Sequence, residues 1–164
     1  NFAVLKNLPV LFICENNLYS VYSSLKVRQP ENRKIHEMVS ALGVPTSYGN
    51  GNIVSEVYTL TKNAVEKIRN SEGPQFIEFS TYRWLEHCGP NYDNNIGYRS
   101  EKEFIKWKEK DPVRHCENKL LNLSSDDIKN YKIKTQAEID KAFHFAKESP
   151  FPNPNKAYTD LFAD

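Results

Sequence analysis

Leu8-Pro9-Val10-Leu11-Phe12-Ile13-Cys14 is an unbroken apolar run that stops abruptly at Glu15-Asn16-Asn17-Leu18-Tyr19-Ser20. A short run of this kind suits a strand covered on both faces of a parallel α/β sheet. The amides then fall just past the carboxyl end of the strand, where open α/β sheets place their ligands. A neutral amide oxygen there suits a hard cation such as Mg²⁺, whose remaining ligands are water and phosphate oxygens. The dipeptide also suits a plain strand-terminating turn, because Asn tolerates left-handed backbone angles and bonds its own backbone.

The chain alternates after that point. Asn1 to Asn7 resembles a helix end, and the strand is expected over Pro9 to Cys14. Asn16 to Asn32 has few periodic apolar residues and is expected as a loop. Ile35, Met38, Val39 and Leu42 recur at helical spacing, with Gly43 placed to end the helix. Val44 to Tyr48 suits a short strand that Pro45 confines to an end or an edge. Val54, Val57, Tyr58, Thr61, Ala64, Val65 and Ile68 make one face of a longer helix. Ser71-Glu72-Gly73-Pro74 stops it, and Phe76-Ile77-Glu78-Phe79 follows as a strand with a single charge. Strand, helix and strand in alternation predict a parallel sheet flanked by helices.

The rest is helical after a long aperiodic segment from Tyr82 to Ser100, and such segments are usually functional when ordered. Ser100 and Glu103 have capping-box spacing. Asp111-Pro112 has the form of an N-cap followed by proline at the first helical position. Ser124 or Ser125 and Thr135 can cap two further helices, the last with Ile139, Ala142, Phe143 and Ala146 on its apolar face. The expected organisation is an α/β part over residues 1–100 and a helical extension over 101–164 packed on it.

Composition narrows the partners. A net charge of +1 over 164 residues gives no electrostatic case for nucleic acid or an anionic membrane. No apolar run is long enough to span a bilayer. Cys14, Cys88 and Cys116 are odd in number and widely spaced, which suits free thiols in a reducing compartment. A cytoplasmic location is expected, or an organelle matrix if a targeting segment lies upstream.

Cys14-Glu15-Asn16-Asn17-Leu18-Tyr19-Ser20 resembles the closing half of the thiamine diphosphate motif in the alpha subunit of the 2-oxo acid dehydrogenase first component. Other segments agree in order. Gly73-Pro74 through Thr81-Tyr82-Arg83 is similar to the family's G-P-x-hydrophobic-E-x-x-T-Y-R segment. His87 falls where its loop carries a second histidine, Gly97-Tyr98-Arg99-Ser100 where that loop closes, and Ser149-Pro150-Phe151-Pro152 at its common ending. The resemblance implies a thiamine diphosphate-binding fold, with Mg²⁺ held by the Asn17 side chain and the Tyr19 backbone carbonyl. It implies that Asn17, Tyr19 and His87 bind the cofactor, and that His87 takes part in catalysis. Arg83, after a predicted strand, is expected either to bind the cofactor through a phosphate or to anchor the loop by bidentate pairing. No Gly-Asp-Gly half of the motif precedes Asn17, so the chain is expected to be the carboxyl-terminal half of a longer subunit. The expected partners are the segment bearing that half, a beta-type subunit, a 2-oxo acid substrate and a lipoyl acyltransferase.

The loop departs from the family pattern. H-G-H-S is replaced by Leu85-Glu86-His87-Cys88, and a longer Gly89-Pro90-Asn91-Tyr92-Asp93-Asn94-Asn95 follows. Glu86 is expected to stand beside His87 and orient it. The change leaves open a carboligase or decarboxylase of transketolase-like architecture in a biosynthetic pathway. A non-catalytic scaffold that kept the fold is the third alternative.

Overall fold

The computed structural model describes residues 1–120 and 125–159. The chain divides into two compact units, Asn1–Lys119 and Leu120–Asp164.

The first unit is α/β. Its elements are α1 (Phe2–Leu5), β1 (Leu11–Asn16), β2 (Tyr19–Ser20), β3 (Ser23–Ser24), a 3₁₀ turn (Leu25–Val27), α2 (Ile35–Ser40), β4 (Thr46–Asn50), α3 (Val54–Arg69), β5 (Gln75–Ser80), α4 (Glu101–Lys108) and α5 (Pro112–Lys119). β1, β5 and β4 form a parallel sheet with β5 in the centre. The register sets Asn16, Ser80 and Asn50 side by side, so all three strands end on one line. The backbone stays joined past that line: the Thr81 N–H donates to the Asn16 carbonyl at 3.0 Å and the Gly51 N–H to the Ser80 carbonyl at 2.9 Å.

Burial explains the order. β5 is covered along its length, and Ile77 is wholly inaccessible. Ala64, Ile77 and Phe79 make the core, with Leu11, Val57 and Leu60 packed against them. The α3 face that meets the sheet is therefore Val57, Leu60 and Ala64. Val54 and Tyr58, expected on that face, are exposed, because the helix is rotated to put Leu60 inward. β1 also departs from expectation. Among the described residues it pairs with β5 alone, and Phe12 and Ile13 are 43% and 51% exposed rather than covered on both faces. β4 is the other edge, as Pro45 requires: proline precedes the strand and uses only its carbonyl, accepting from the Phe76 N–H at 3.0 Å.

Two turns differ from their expected form. The segment after β1 is not irregular throughout, since β2 and β3 pair as a short antiparallel hairpin. The Ser100 hydroxyl accepts from the Glu103 N–H at 3.1 Å, but the Glu103 carboxylate does not complete the capping box; it turns to the β2 tyrosine. Asp111 behaves as read, its carboxylate accepting from the Val113 N–H at 2.8 Å with Pro112 opening α5.

The second unit contains α6 (Ser125–Glu148) and a 3₁₀ turn (Pro154–Tyr158). Thr135 starts no new helix. It lies inside α6, where neither glycine nor proline interrupts 24 residues. Ser125 opens this helix, and Ser124 lies outside the described residues. Ile139 and Phe143 are exposed. Cys14, Cys88 and Cys116 are free thiols.

Candidate functional site

The carboxyl line of the sheet carries the candidate site. At the end of β1 the two asparagines make consecutive turns. The Asn16 amide oxygen accepts from the Leu18 N–H at 3.2 Å, and the Asn17 amide oxygen accepts from the Tyr19 N–H at 2.9 Å. Leu18 between them has φ +70°, the left-handed conformation that such a tight reversal needs. Asn17 and the Tyr19 backbone are thereby fixed on one turn.

The Tyr19 side chain is an anchor. Its hydroxyl donates to the Glu103 carboxylate at 2.6 Å, and its ring meets Tyr82 and Tyr98 edge to face at 6.4 and 5.4 Å. Burial, and then the Glu103 carboxylate, push the phenol far above its ordinary range, so it remains a donor at all physiological pH. Tyr19→Phe is expected to lower the urea stability of the first unit by about 1–2 kcal/mol at unchanged slope. Unchanged stability in the variant would refute the anchoring role.

Arg83, three residues past the end of β5, reaches the hairpin that follows this turn. Its guanidinium donates to the Val21 carbonyl at 3.0 Å and to the Tyr98 hydroxyl oxygen at 2.8 Å; Tyr98 in turn donates to Asp93 at 2.7 Å. Arg99, its side chain fully buried, pairs with the other Asp93 oxygen and donates to the backbone carbonyls of Arg83 and Trp84. Its guanidinium also lies over the rings of Tyr82 and Tyr98, at 5.2 and 5.3 Å. Burial raises the Asp93 carboxyl. Hydrogen bonds from Tyr98 and Arg99 and the nearby guanidinium charges outweigh that and hold it below the usual carboxylate range. This network orders the aperiodic segment from 82 to 100.

His87 lies exposed on that segment. Among the described residues no hydrogen bond or ion pair joins it to Asn17, Tyr19 or Arg83. Glu86 does not orient it. The Glu86 carboxylate accepts from Asn91, at 2.8 Å from the side-chain amide, and the backbone closes the same small loop at 2.9 Å. A Cβ at Gly89 would displace the Glu86 carboxylate from its place beside Asn91.

One buried cluster has no counterpart in the expected site residues. Glu78, 3% exposed, accepts from the Asn16 side-chain amide at 2.7 Å and from the His36 backbone N–H at 2.9 Å. The His36 ring nitrogen lies 2.6 Å from the same carboxylate, against Tyr48. Burial raises the Glu78 carboxyl, and the donors from Asn16 and His36 together bring it below its ordinary value. A lone carboxylate within an apolar strand was the available signal, since a buried charge must be paired.

The donor set fits a hard cation. Among the described residues no three acidic, histidine or cysteine side chains are placed to hold a metal. The Asn17 amide oxygen and the Tyr19 carbonyl are neutral donors of the kind Mg²⁺ takes alongside phosphate and water.

Comparison with known proteins identifies the family. The chain matches the family model described as dehydrogenase E1 component over residues 1–155. It is similar to a pyruvate dehydrogenase E1 component subunit alpha of Porphyra purpurea, 31% identical over 100% of this chain and 47% of that protein. It is 32% identical to a 2-oxoisovalerate dehydrogenase subunit alpha of Bacillus subtilis over 99% of this chain and 49% of that protein. A chloroplastic pyruvate dehydrogenase E1 component subunit alpha-3 of Arabidopsis thaliana is 31% identical over 100% of this chain and 38% of that protein. The chain thus spans about half the length, or less, of these curated relatives. A match over nearly its whole extent, with the asparagine turn and the ordered loop at one edge of a parallel sheet, makes this chain a member of the dehydrogenase E1 component family.

Proposed function

We propose that this chain forms part of an alpha-type subunit of a thiamine diphosphate- and Mg²⁺-dependent 2-oxo acid dehydrogenase, acting with a beta-type partner. The observation that carries the proposal is the Asn17–Tyr19 turn, fixed at the carboxyl end of β1 in a chain of this family. On this reading Asn17 and the Tyr19 carbonyl hold Mg²⁺ against the cofactor diphosphate. When bound, thiamine diphosphate supplies the decarboxylation of the 2-oxo acid. Arg83 holds the hairpin next to the turn in place and lends positive charge to the diphosphate side. His87, exposed on the loop, donates an N–H to phosphate or to charge developing on the substrate.

The remaining half of the motif, supplied by a preceding segment, and the beta-type subunit complete the site. A lipoyl acyltransferase receives the acyl product. Relatives include a chloroplastic subunit, so an organelle matrix and the cytoplasm are both compatible locations. Among the described residues no helix is long and apolar enough to cross a membrane.

Native mass spectrometry of the assembly purified from its source, with Mg²⁺ and thiamine diphosphate, tests the reading. The expected result is a complex with a second subunit and bound cofactor that decarboxylates pyruvate or 2-oxoisovalerate. In that assembly Asn17→Ala should abolish cofactor retention while leaving subunit association intact. Full retention in the variant would remove Asn17 from the site. Formation of a ligated ketone with no lipoyl reduction would assign the chain to carboligation instead.

A further inference from the structure

We infer that Glu78 is a positioning residue for the metal turn, acting through the side chain of Asn16; this rests on the function proposed above. Glu78 lies on the buried central strand, two residues before the line where the sheet ends, and itself touches neither Asn17 nor Tyr19 by hydrogen bond. It does touch the residue that sets their turn. The Asn16 amide has two ends with opposite character. Its nitrogen donates to Glu78 at 2.7 Å, and its oxygen accepts from the Leu18 N–H at 3.2 Å. A carboxylate can only accept, so Glu78 admits one of the two possible amide orientations. With the nitrogen held by Glu78, the oxygen must face Leu18. Leu18 is the left-handed residue between the two metal donors, so its N–H is the hinge of the turn.

Glu78 is itself held on its other side. Its second oxygen takes the His36 N–H at 2.9 Å and lies 2.6 Å from the His36 ring, which rests against Tyr48. The carboxylate cannot swing away from Asn16 without abandoning these partners in a buried setting. The chain His36, Glu78, Asn16, Leu18 therefore transmits the rigidity of the sheet to the metal turn. Groups that orient metal ligands from one layer out typically change metal affinity 10–100-fold when removed.

Glutamine at position 78 has one acceptor where Glu78 uses two. With its oxygen on the His36 N–H, its amide nitrogen would face the Asn16 nitrogen, donor against donor. The Asn16 amide would flip or leave, and the Leu18 N–H would lose its acceptor.

The experiment uses the complete assembly, stripped of Mg²⁺ and thiamine diphosphate, and reads two dissociation constants. One is that of Mg²⁺, titrated by calorimetry at saturating thiamine diphosphate; the other is that of thiamine diphosphate at saturating Mg²⁺. Glu78→Gln and Asn16→Ala are each expected to weaken Mg²⁺ 10–100-fold and to leave the second constant within about threefold. The double variant is expected to be no weaker than Asn16→Ala, because Glu78 works through Asn16. Unchanged Mg²⁺ affinity in a folded Glu78→Gln protein, or losses that multiply in the double variant, would overturn the inference. If Glu78→Gln does not fold, the pair Glu78→Gln with Asn16→Asp decides. It moves the carboxylate to the neighbour and keeps the hydrogen bond, so Mg²⁺ affinity within threefold of wild type supports the inference and a tenfold loss overturns it. Failure of the wild-type assembly to bind Mg²⁺ and thiamine diphosphate at all would instead sink the proposed function.

Discussion

Arg99→Ala is expected to destabilise the first unit by about 3–5 kcal/mol and to expose the 82–100 segment to proteolysis. The arginine side chain is fully buried and its partner Asp93 is 4% exposed, so the truncation strands a charge away from water. The Arg83 and Trp84 carbonyls lose their donor at the same stroke. Tyr98 alone cannot compensate, since it gives one hydrogen bond and no charge. Arg83 approaches Asp93 only to 3.9 Å and is already committed to Val21 and Tyr98.

The loss carries a pH signature. Asp93 has its carboxyl held below the ordinary value, so it binds protons less readily folded than unfolded. Its contribution is complete above the unfolded value of about 3.9 and declines as pH falls through the lower folded value. The wild-type protein should therefore lose stability steeply below about pH 4, and the variant less so. Equal acid sensitivity in the two proteins would show that the Asp93–Arg99 pair is not what orders the loop. Limited proteolysis at neutral pH gives an independent check, with cleavage expected first between residues 82 and 100.

What could be read from the chain was local. Asp111-Pro112 and Ser100 are helix starts whose partners lie two or three residues away, and both side chains cap the expected N–H, although the Glu103 half of the box at Ser100 does not form. The Asn17 turn closes on Tyr19, two residues on, and the apolar run before it is a strand of the parallel sheet. What could not be read was decided by distant chain. Glu78 finds His36 and Asn16 at separations of 42 and 62 residues, and no periodicity reports such a pairing. Whether β1 is covered depends on what lies beside it, so an apolar run alone could not distinguish a central strand from the edge found here. The rotation of α3 is of the same kind: Leu60 packs against the core, and Tyr58, two residues away and so across the helix, is exposed. Thr135 shows the converse error, a residue with capping chemistry that the surrounding helix overrides. The loop departs most because its order comes from Arg99 and Asp93, six residues apart in a segment without any repeat.

Phe79→Ala should cost about 3–5 kcal/mol, the range for deleting an aromatic ring from a packed interior. The core of this unit is small, with Ala64, Ile77 and Phe79 buried and Leu11, Val57 and Leu60 closing over them. Such a core has little means of collapsing into the space left by the ring. The neighbouring backbone is already close: a methyl group on Gly49 would lie 3.3 Å from the Phe79 ring, and one on Gly51 3.2 Å from its Cβ. Against a typical domain stability of about 5–15 kcal/mol, the loss is a large part of the whole. Phe79→Leu keeps most of the apolar volume and should cost markedly less. The consequence reaches the candidate site through the backbone. Phe79 immediately precedes Ser80, whose carbonyl holds Gly51, and Thr81, whose N–H holds Asn16. Denaturant unfolding followed by tryptophan fluorescence and by far-ultraviolet circular dichroism measures the energy. Mg²⁺ titration of the folded fraction then shows whether the turn is disturbed. A cost below about 1 kcal/mol for the alanine variant would mean that the ring is not the support of the sheet's carboxyl edge. A large cost with unaltered Mg²⁺ affinity would separate the strength of the core from the geometry of the turn.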